Sequence, residues 1–202
     1  ALGGIPVPLY QDSVAEEMLY VLENADVKYA IVQNQEQTDK LLEIKDRLPQ
    51  LEHICYEEPR GMRDYTQDFI HYYKDIQEKG RTFQSENPDF YLHEIEQGQG
   101  SDISIFLYTS GTTGKPKGVI LSHRNLIFEC SVVLPLLGMT KDDRSLAFLP
   151  WAHVFGQVAE VHGLISSGGS AGLVDDVNTL IEELGIVKPS MFFAVPRVYN
   201  RI

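Results

Sequence analysis

Ile103-Ser104-Ile105-Phe106-Leu107-Tyr108-Thr109-Ser110-Gly111-Thr112-Thr113-Gly114-Lys115-Pro116-Lys117-Gly118 begins as an apolar, β-prone run and breaks into hydroxyls, glycines and lysines. The eleven residues from Tyr108 to Gly118 hold four Ser or Thr hydroxyls, three glycines and two lysines. Phosphate binding needs closely approaching backbone N–H groups, hydroxyl donors and mobile positive charge. Glycine lets the backbone curl around oxygens, each lysine brings a flexible point charge, and Pro116 sits between the two lysines as a turn former. The string is not a Walker A loop, because Pro116 follows Gly114-Lys115 and Thr109 stands where that motif needs its first glycine. On composition alone, a solvated hairpin turn fits the same residues as well.

Outward from this stretch, strand and helix patterns alternate. Towards the N-terminus, Asp12-Ser13 with Glu16 resembles a capping box for a helix that turns Val14, Met18, Val21, Leu22 and Ala25 to one face. A short strand over 28–32, a helix over 35–48 stopped by Pro49, and a strand over 51–56 follow. The spacing over 64–80 predicts a packed helix, and 85–100 is acidic with weak periodicity. Towards the C-terminus, Ser122 reads as the N-cap of a helix burying Leu126, Cys130, Val133, Leu134 and Leu137. Strands over 145–149, 170–174 and 191–195 alternate with helices over 154–165, 177–184 and from Pro196. Such alternation predicts an open, mostly parallel sheet with helices on both faces.

The 202 residues carry 17 basic and 29 acidic side chains, a net charge of -12. That balance repels polyanions and argues against nucleic acid as a partner. The charge is uneven: residues 1–100 hold 9 basic and 20 acidic groups, whereas 101–202 hold 8 and 9. An anion is therefore expected in the second half, where Lys115, Lys117, Arg124 and Lys141 cluster in sequence. Cys55 and Cys130 match no metal or redox spacing and read as thiols of a reducing compartment. The six histidines show no zinc spacing. The longest apolar stretch, 130–139, is too short to span a bilayer, and the N-terminus lacks the regions of a signal peptide.

The string from Tyr108 to Gly118 resembles the phosphate-loop signature of the adenylate-forming superfamily, which includes acyl-CoA synthetases, luciferases and peptide-synthetase adenylation domains. Three more segments resemble that family in order. They are Gly3-Gly4-Ile5-Pro6-Val7-Pro8-Leu9, Leu149-Pro150-Trp151-Ala152-His153-Val154-Phe155-Gly156, and Val195-Pro196-Arg197-Val198-Tyr199. The last is similar to a segment of long-chain acyl-CoA synthetases. The resemblance implies a Rossmann-like α/β fold, with 1–100 an acidic α/β portion and 101–202 a phosphate-loop and acyl-pocket portion of a large N-terminal domain. An aryl- or amino-acid-activating ligase, or a non-catalytic nucleotide-binding module, remains open beside a fatty-acid–CoA ligase.

By resemblance, Thr109, Ser110, Gly111, Thr112, Thr113, Gly114, Lys115 and Lys117 would hold the phosphates of ATP, with Thr109 also touching Mg2+. Lys117 and His153 would act on the reacting groups, and Trp151, His153, Val154, Phe155 and Gly156 would border the acyl chain. For His153 a packing role is the alternative. Fatty acid, ATP and coenzyme A are the implied substrates. The compartment is expected to be cytoplasmic, with room for peripheral membrane contact. No "YG-x-TE" or "TGD" segment of the family occurs. The expected state is thus a partial N-terminal region without its C-terminal domain, inactive alone and prone to self-association through open strand edges.

Overall fold

The computed structural model describes residues 2–109, 116–174 and 176–199. The chain divides into two compact units, 1–99 and 100–202.

The first unit is built on a parallel three-stranded sheet of β1 (Tyr29–Val32), β2 (His53–Tyr56) and β3 (Ile70–Tyr72), in that order. Helix α1 (Ala15–Asn24) precedes β1, and α2 (Gln35–Ile44) with a 3-10 turn over Lys45–Arg47 crosses from β1 to β2. Met18, Leu22, Leu41, Ile44, Leu48 and Ile54 form much of a closed core. Each such side chain contributes about 1.5–3 kcal/mol through burial.

The capping box expected at Asp12-Ser13 does not form. The chain turns at Tyr10–Ser13, where the Ser13 amide donates to the Tyr10 carbonyl at 3.2 Å, and the helix starts later with Val14 as its N-cap. Val14 is consequently extended and 57% exposed rather than on the buried face. By contrast, Asn34 caps α2, its Oδ1 accepting from the Gln37 amide at 3.3 Å.

The helix expected over 64–80 is also corrected. The segment holds a strand, β3, before α3 (Tyr73–Glu86) begins. Cross-strand pairs outweigh the helical spacing: Tyr72 stacks on Tyr56 at 5.4 Å, and the His71 and His53 rings share a hydrogen bond of 2.9 Å. Burial and the neighbouring His53 hold the His71 imidazole below its ordinary pKa. Neither α3 nor the following α4 (Phe90–Gln97), which was not expected, buries a residue. They are joined by an edge-to-face contact of Phe83 with Phe90 at 5.0 Å.

The second unit opens with an antiparallel hairpin, β4 (Ile103–Thr109) and β5 (Lys117–Ser122). Strand β5 was not anticipated; it pairs antiparallel with β4, whereas the other paired strands run parallel. Ser122 ends β5 and caps α5 (His123–Leu137): Asn125 N–H donates to its Oγ at 3.2 Å, and its own amide donates to Asn125 Oδ1 at 2.9 Å. Leu126 and Cys130 are buried on α5, and Gly138 closes it in the left-handed conformation.

Strands β6 (Arg144–Ala147) and β7 (Ser170–Leu173) pair in parallel. Between them run a π-helix over Gly156–His162 and α6 (Gly163–Ser167). The strand expected over 191–195 reduces to a parallel bridge between Met191 and Ser145. Asp143 fixes that approach: Ser190 Oγ and the Thr140 amide each donate to its carboxylate at 2.7 Å. These bonds hold its pKa below the ordinary carboxylate value. Helices α7 (Leu180–Val187) and α8 (Pro196–Tyr199) complete a mixed α/β fold.

Candidate functional site

The geometry starts from strand register. Thr109 and Lys117 are the final pair of the β4–β5 hairpin, and Thr109 Oγ1 donates to the Lys117 carbonyl at 3.5 Å. The arms of the hydroxyl- and glycine-rich string are thus adjacent, with the Lys117 side chain exposed. Ser110, Gly111, Thr112, Thr113, Gly114 and Lys115 lie outside the described residues.

Gly118 explains how the arms close. It pairs with Tyr108, and the Phe106 ring lies over it, stacked on Tyr108 at 5.0 Å. A Cβ at Gly118 would stand 2.1 Å from Phe106 Cε2. The glycine next to Lys117 is therefore needed for close approach of a ring to backbone.

The second group of predicted residues forms a turn between β6 and the π-helix. His153 N–H donates to the Pro150 carbonyl at 3.0 Å, and Gln157 N–H donates to the His153 carbonyl at 2.9 Å. The His153 ring is exposed, and its Nδ1 accepts from the Phe155 amide at 3.2 Å. A neutral ring so engaged carries its proton on Nε2, which leaves Nε2–H as the donor.

Val154 is half-buried. Phe155 is exposed and meets Phe193 edge-to-face at 6.3 Å. Gly156 is buried where the chain doubles back, and an added Cβ would lie 2.8 Å from the Pro150 carbonyl oxygen. Trp151 is 41% exposed, and its Nε1 donates to Glu160 Oε2 at 3.3 Å. The structure thus brings Thr109 to Lys117, and places Trp151 to Gly156 where a turn runs into the π-helix that Gly156 begins.

Sequence reasoning missed two partners in this second group. Glu160 is 1% exposed, and its Oε1 accepts from the buried Ser145 hydroxyl of β6. The available signal was one acid, Glu160, set between Val158-Ala159 and Val161. The second missed feature is the π-helix that carries it, a rare form frequent at functional sites.

No cluster of three or more His, Cys, Asp or Glu able to hold a metal occurs among the described residues. Nor does any helix among them have the length and apolarity to cross a membrane. The first unit holds a separate cleft of about 290 Å3 past the C-terminal ends of β1 and β2, lined by Gln33, Asn34, Glu57 and Arg60 among others. It includes none of the residues predicted from sequence.

Against known proteins, the chain is 30% identical over 217 residues to long-chain-fatty-acid–CoA ligase 5 of Rattus norvegicus, covering 98% of this chain and 29% of that relative. It is 31% identical over 207 residues to long-chain-fatty-acid–CoA ligase ACSBG2 of Homo sapiens, covering 99% and 30%. The chain therefore spans under a third of the length of these relatives. Among solved structures, anthranilate CoA ligase AuaEII in complex with anthranoyl-AMP superposes with a TM-score of 0.74 at 22% identity, over 94% of this chain and 35% of that one. ATP-bound MatB from Rhodopseudomonas palustris gives 0.69 at 20%, over 98% and 36%. These structural likenesses support the α/β fold. The family described as AMP-binding enzyme matches residues 1–202 in full. The chain, with its Thr109–Lys117 hairpin and its turn at Trp151–Gly156, belongs to the AMP-binding enzyme family.

Proposed function

We propose that the chain supplies the phosphate-loop and acyl-pocket portion of an ATP-dependent acyl-CoA synthetase that activates a long-chain fatty acid. The observation that carries this reading is the hairpin register, Thr109 against Lys117, at the two ends of the hydroxyl- and glycine-rich connection. The names of the relatives, long-chain-fatty-acid–CoA ligases, support the substrate class.

In the first half-reaction a carboxylate oxygen of the fatty acid attacks the α-phosphorus of ATP. The bond to the bridging oxygen breaks, and pyrophosphate leaves. In the second, the coenzyme A sulfur attacks the acyl carbon after losing its proton, and AMP departs with the bonding electrons. Adenylation replaces hydroxide with a far better leaving group.

In this reading the exposed Lys117 ammonium faces negative charge that grows on departing pyrophosphate. The loop from Thr109 through Ser110, Gly111, Thr112, Thr113, Gly114 and Lys115 holds the phosphates. His153 donates from Nε2–H to the acyl carboxylate or the α-phosphate, because its Nδ1 already accepts from the Phe155 amide. Trp151, Val154, Phe155 and Gly156 border the acyl chain. Thr109 Oγ1 is a hard oxygen of the kind magnesium prefers, and an ion that keeps most of its waters needs few protein ligands. Such an ion would neutralise charge on the triphosphate.

Two measurements test the reading. Carboxylate-dependent ATP–pyrophosphate exchange is run with palmitate, acetate and benzoate in parallel, on a polypeptide of the relatives' length carrying these residues. Exchange strongest with palmitate is expected, and exchange strongest with benzoate would replace the fatty-acid reading with an aryl one. ATP binding by the 202-residue chain is expected to weaken in Lys117→Ala. Unchanged binding would reduce the string to a solvated turn.

A further inference from the structure

The turn that holds His153 and Phe155 is not fixed by burial of its largest side chain. Trp151 remains 41% exposed, so burial covers only part of the indole. What holds it is a buried acid. Glu160 sits on the π-helix at 1% exposure, nine residues after Trp151, with its two oxygens divided between two donors. Oε1 accepts from the hydroxyl of Ser145, itself fully buried on β6, and Oε2 accepts from the Trp151 indole at 3.3 Å.

A carboxyl taken out of water is costly unless its oxygens are satisfied. The two donors satisfy it, and the same bonds tie three elements together. β6 supplies Ser145, the turn supplies Trp151, and the π-helix supplies Glu160. The Gly163 amide that closes the π-helix donates to the Glu160 and Val158 carbonyls. Among the described residues of the π-helix, no other polar side chain is buried to the same degree.

We infer that Glu160 is a positioning residue that clamps the Trp151–Phe155 turn onto β6 and so sets the wall of the acyl site. Its role in the acyl site rests on the proposed function above. The clamp itself stands on the hydrogen bonds. Glu160 touches no reacting group in this scheme and acts through Trp151.

The chain contains one tryptophan, so its emission reports Trp151 alone. Glu160→Gln and Glu160→Met separate hydrogen bonding from space filling. A Gln amide can present its carbonyl to the indole N–H and its NH2 to the Ser145 oxygen, which preserves both links. Met keeps much of the volume and preserves neither. The expected result in the 202-residue chain is wild-type emission and acrylamide quenching for Glu160→Gln. A red-shifted emission with stronger quenching is expected for Glu160→Met. Wild-type fluorescence in a folded Glu160→Met would overturn the clamp. If that variant gives no cooperative melt, Ser145→Ala decides. It frees one carboxylate oxygen, and stronger quenching of Trp151 supports the clamp, whereas unchanged quenching overturns it.

In the exchange assay, Glu160→Met is expected to raise KM for palmitate about tenfold, the factor matching loss of about 1.4 kcal/mol of hydrogen bonding. Its kcat stays within about twofold, and Glu160→Gln restores KM. Equal KM in wild type and Glu160→Met would remove Glu160 from the acyl site. Failure of palmitate to support exchange in the wild type would instead refute the fatty-acid reading, while the fluorescence comparison still decides the clamp.

Discussion

Gly118→Ala places the hairpin argument at risk. In β5 this glycine pairs with Tyr108, and the Phe106 ring occupies the space where a side chain would start. The added Cβ would lie 2.1 Å from Cε2 and 2.6 Å from Cζ of that ring, well inside van der Waals contact. Relief requires Phe106 to swing away, which breaks its stacking on Tyr108. Overpacking of this kind costs about 1–3 kcal/mol. The gain from lower chain entropy on replacing glycine in a strand returns about 0.5–1 kcal/mol, so a net loss remains.

For a unit of this size, each kcal/mol moves the melting temperature by about 4–8 °C. Circular dichroism melts of the wild type and Gly118→Ala measure the shift directly. Gly80→Ala on α3 supplies the opposite sign, because nothing lies within 4 Å of its Cβ position. There the expected change is a stabilisation of about 0.5–1 kcal/mol. The double variant Phe106→Ala/Gly118→Ala should show less than the sum of the two single losses, since the clash is gone. A Gly118→Ala protein that melts at or above the wild-type temperature would refute the close approach of Phe106 to backbone.

Two further outcomes follow from other parts of the chain. The Asp143 carboxylate, held below its ordinary value of 3.8 by Ser190 and Thr140, adds stability that is fully present above that value. That stability is lost as pH falls through the depressed value. The melting-temperature gap between wild type and Asp143→Asn should therefore be constant at neutral pH and close in acid, and a gap that widens in acid would contradict the bonding. Among the described residues β1 pairs only with β2, and Tyr29 and Ile31 are exposed on it. An edge of that kind favours strand pairing between copies. Light scattering is expected to show mass rising with concentration and a smaller rise for Ile31→Lys, whereas a constant monomer mass would remove the idea.

The elements legible in the sequence are those whose signals are local. Ser122 alone announces a helix start, and the structure shows it capping α5 with Asn125 as its reciprocal partner. Ile103–Thr109 is long and apolar enough to read as β4 from sequence. The elements that were missed depend on partners distant in the chain. Ile70–Tyr72 has helical spacing around it, and only pairing with β2, with Tyr56 against Tyr72, makes it a strand. Lys117–Ser122 offers three consecutive apolar residues, and its pairing with β4 completes it. At the N-terminus the local signal misled, since a turn at Tyr10–Ser13 consumes the residues that resembled a cap.

The same division holds for the candidate site, with a different physical cause. Chemistry-bearing residue types such as Lys117 and His153 are visible because few other residues can supply their charge or proton. Positioning residues are visible only through their cost. Gly118 gives no signal on its own, since glycines in turn-rich strings are common. Its meaning comes from a ring twelve residues earlier in the chain, and alternation alone would place Phe106 over Ile120, its register partner. Glu160 differs, because an acid between Val158-Ala159 and Val161 on a helix that packs inward is expensive unless two donors meet it. Such an acid therefore predicts hydrogen-bond partners before any fold is known, and the two it finds, Ser145 and Trp151, are what join β6 to the turn at His153.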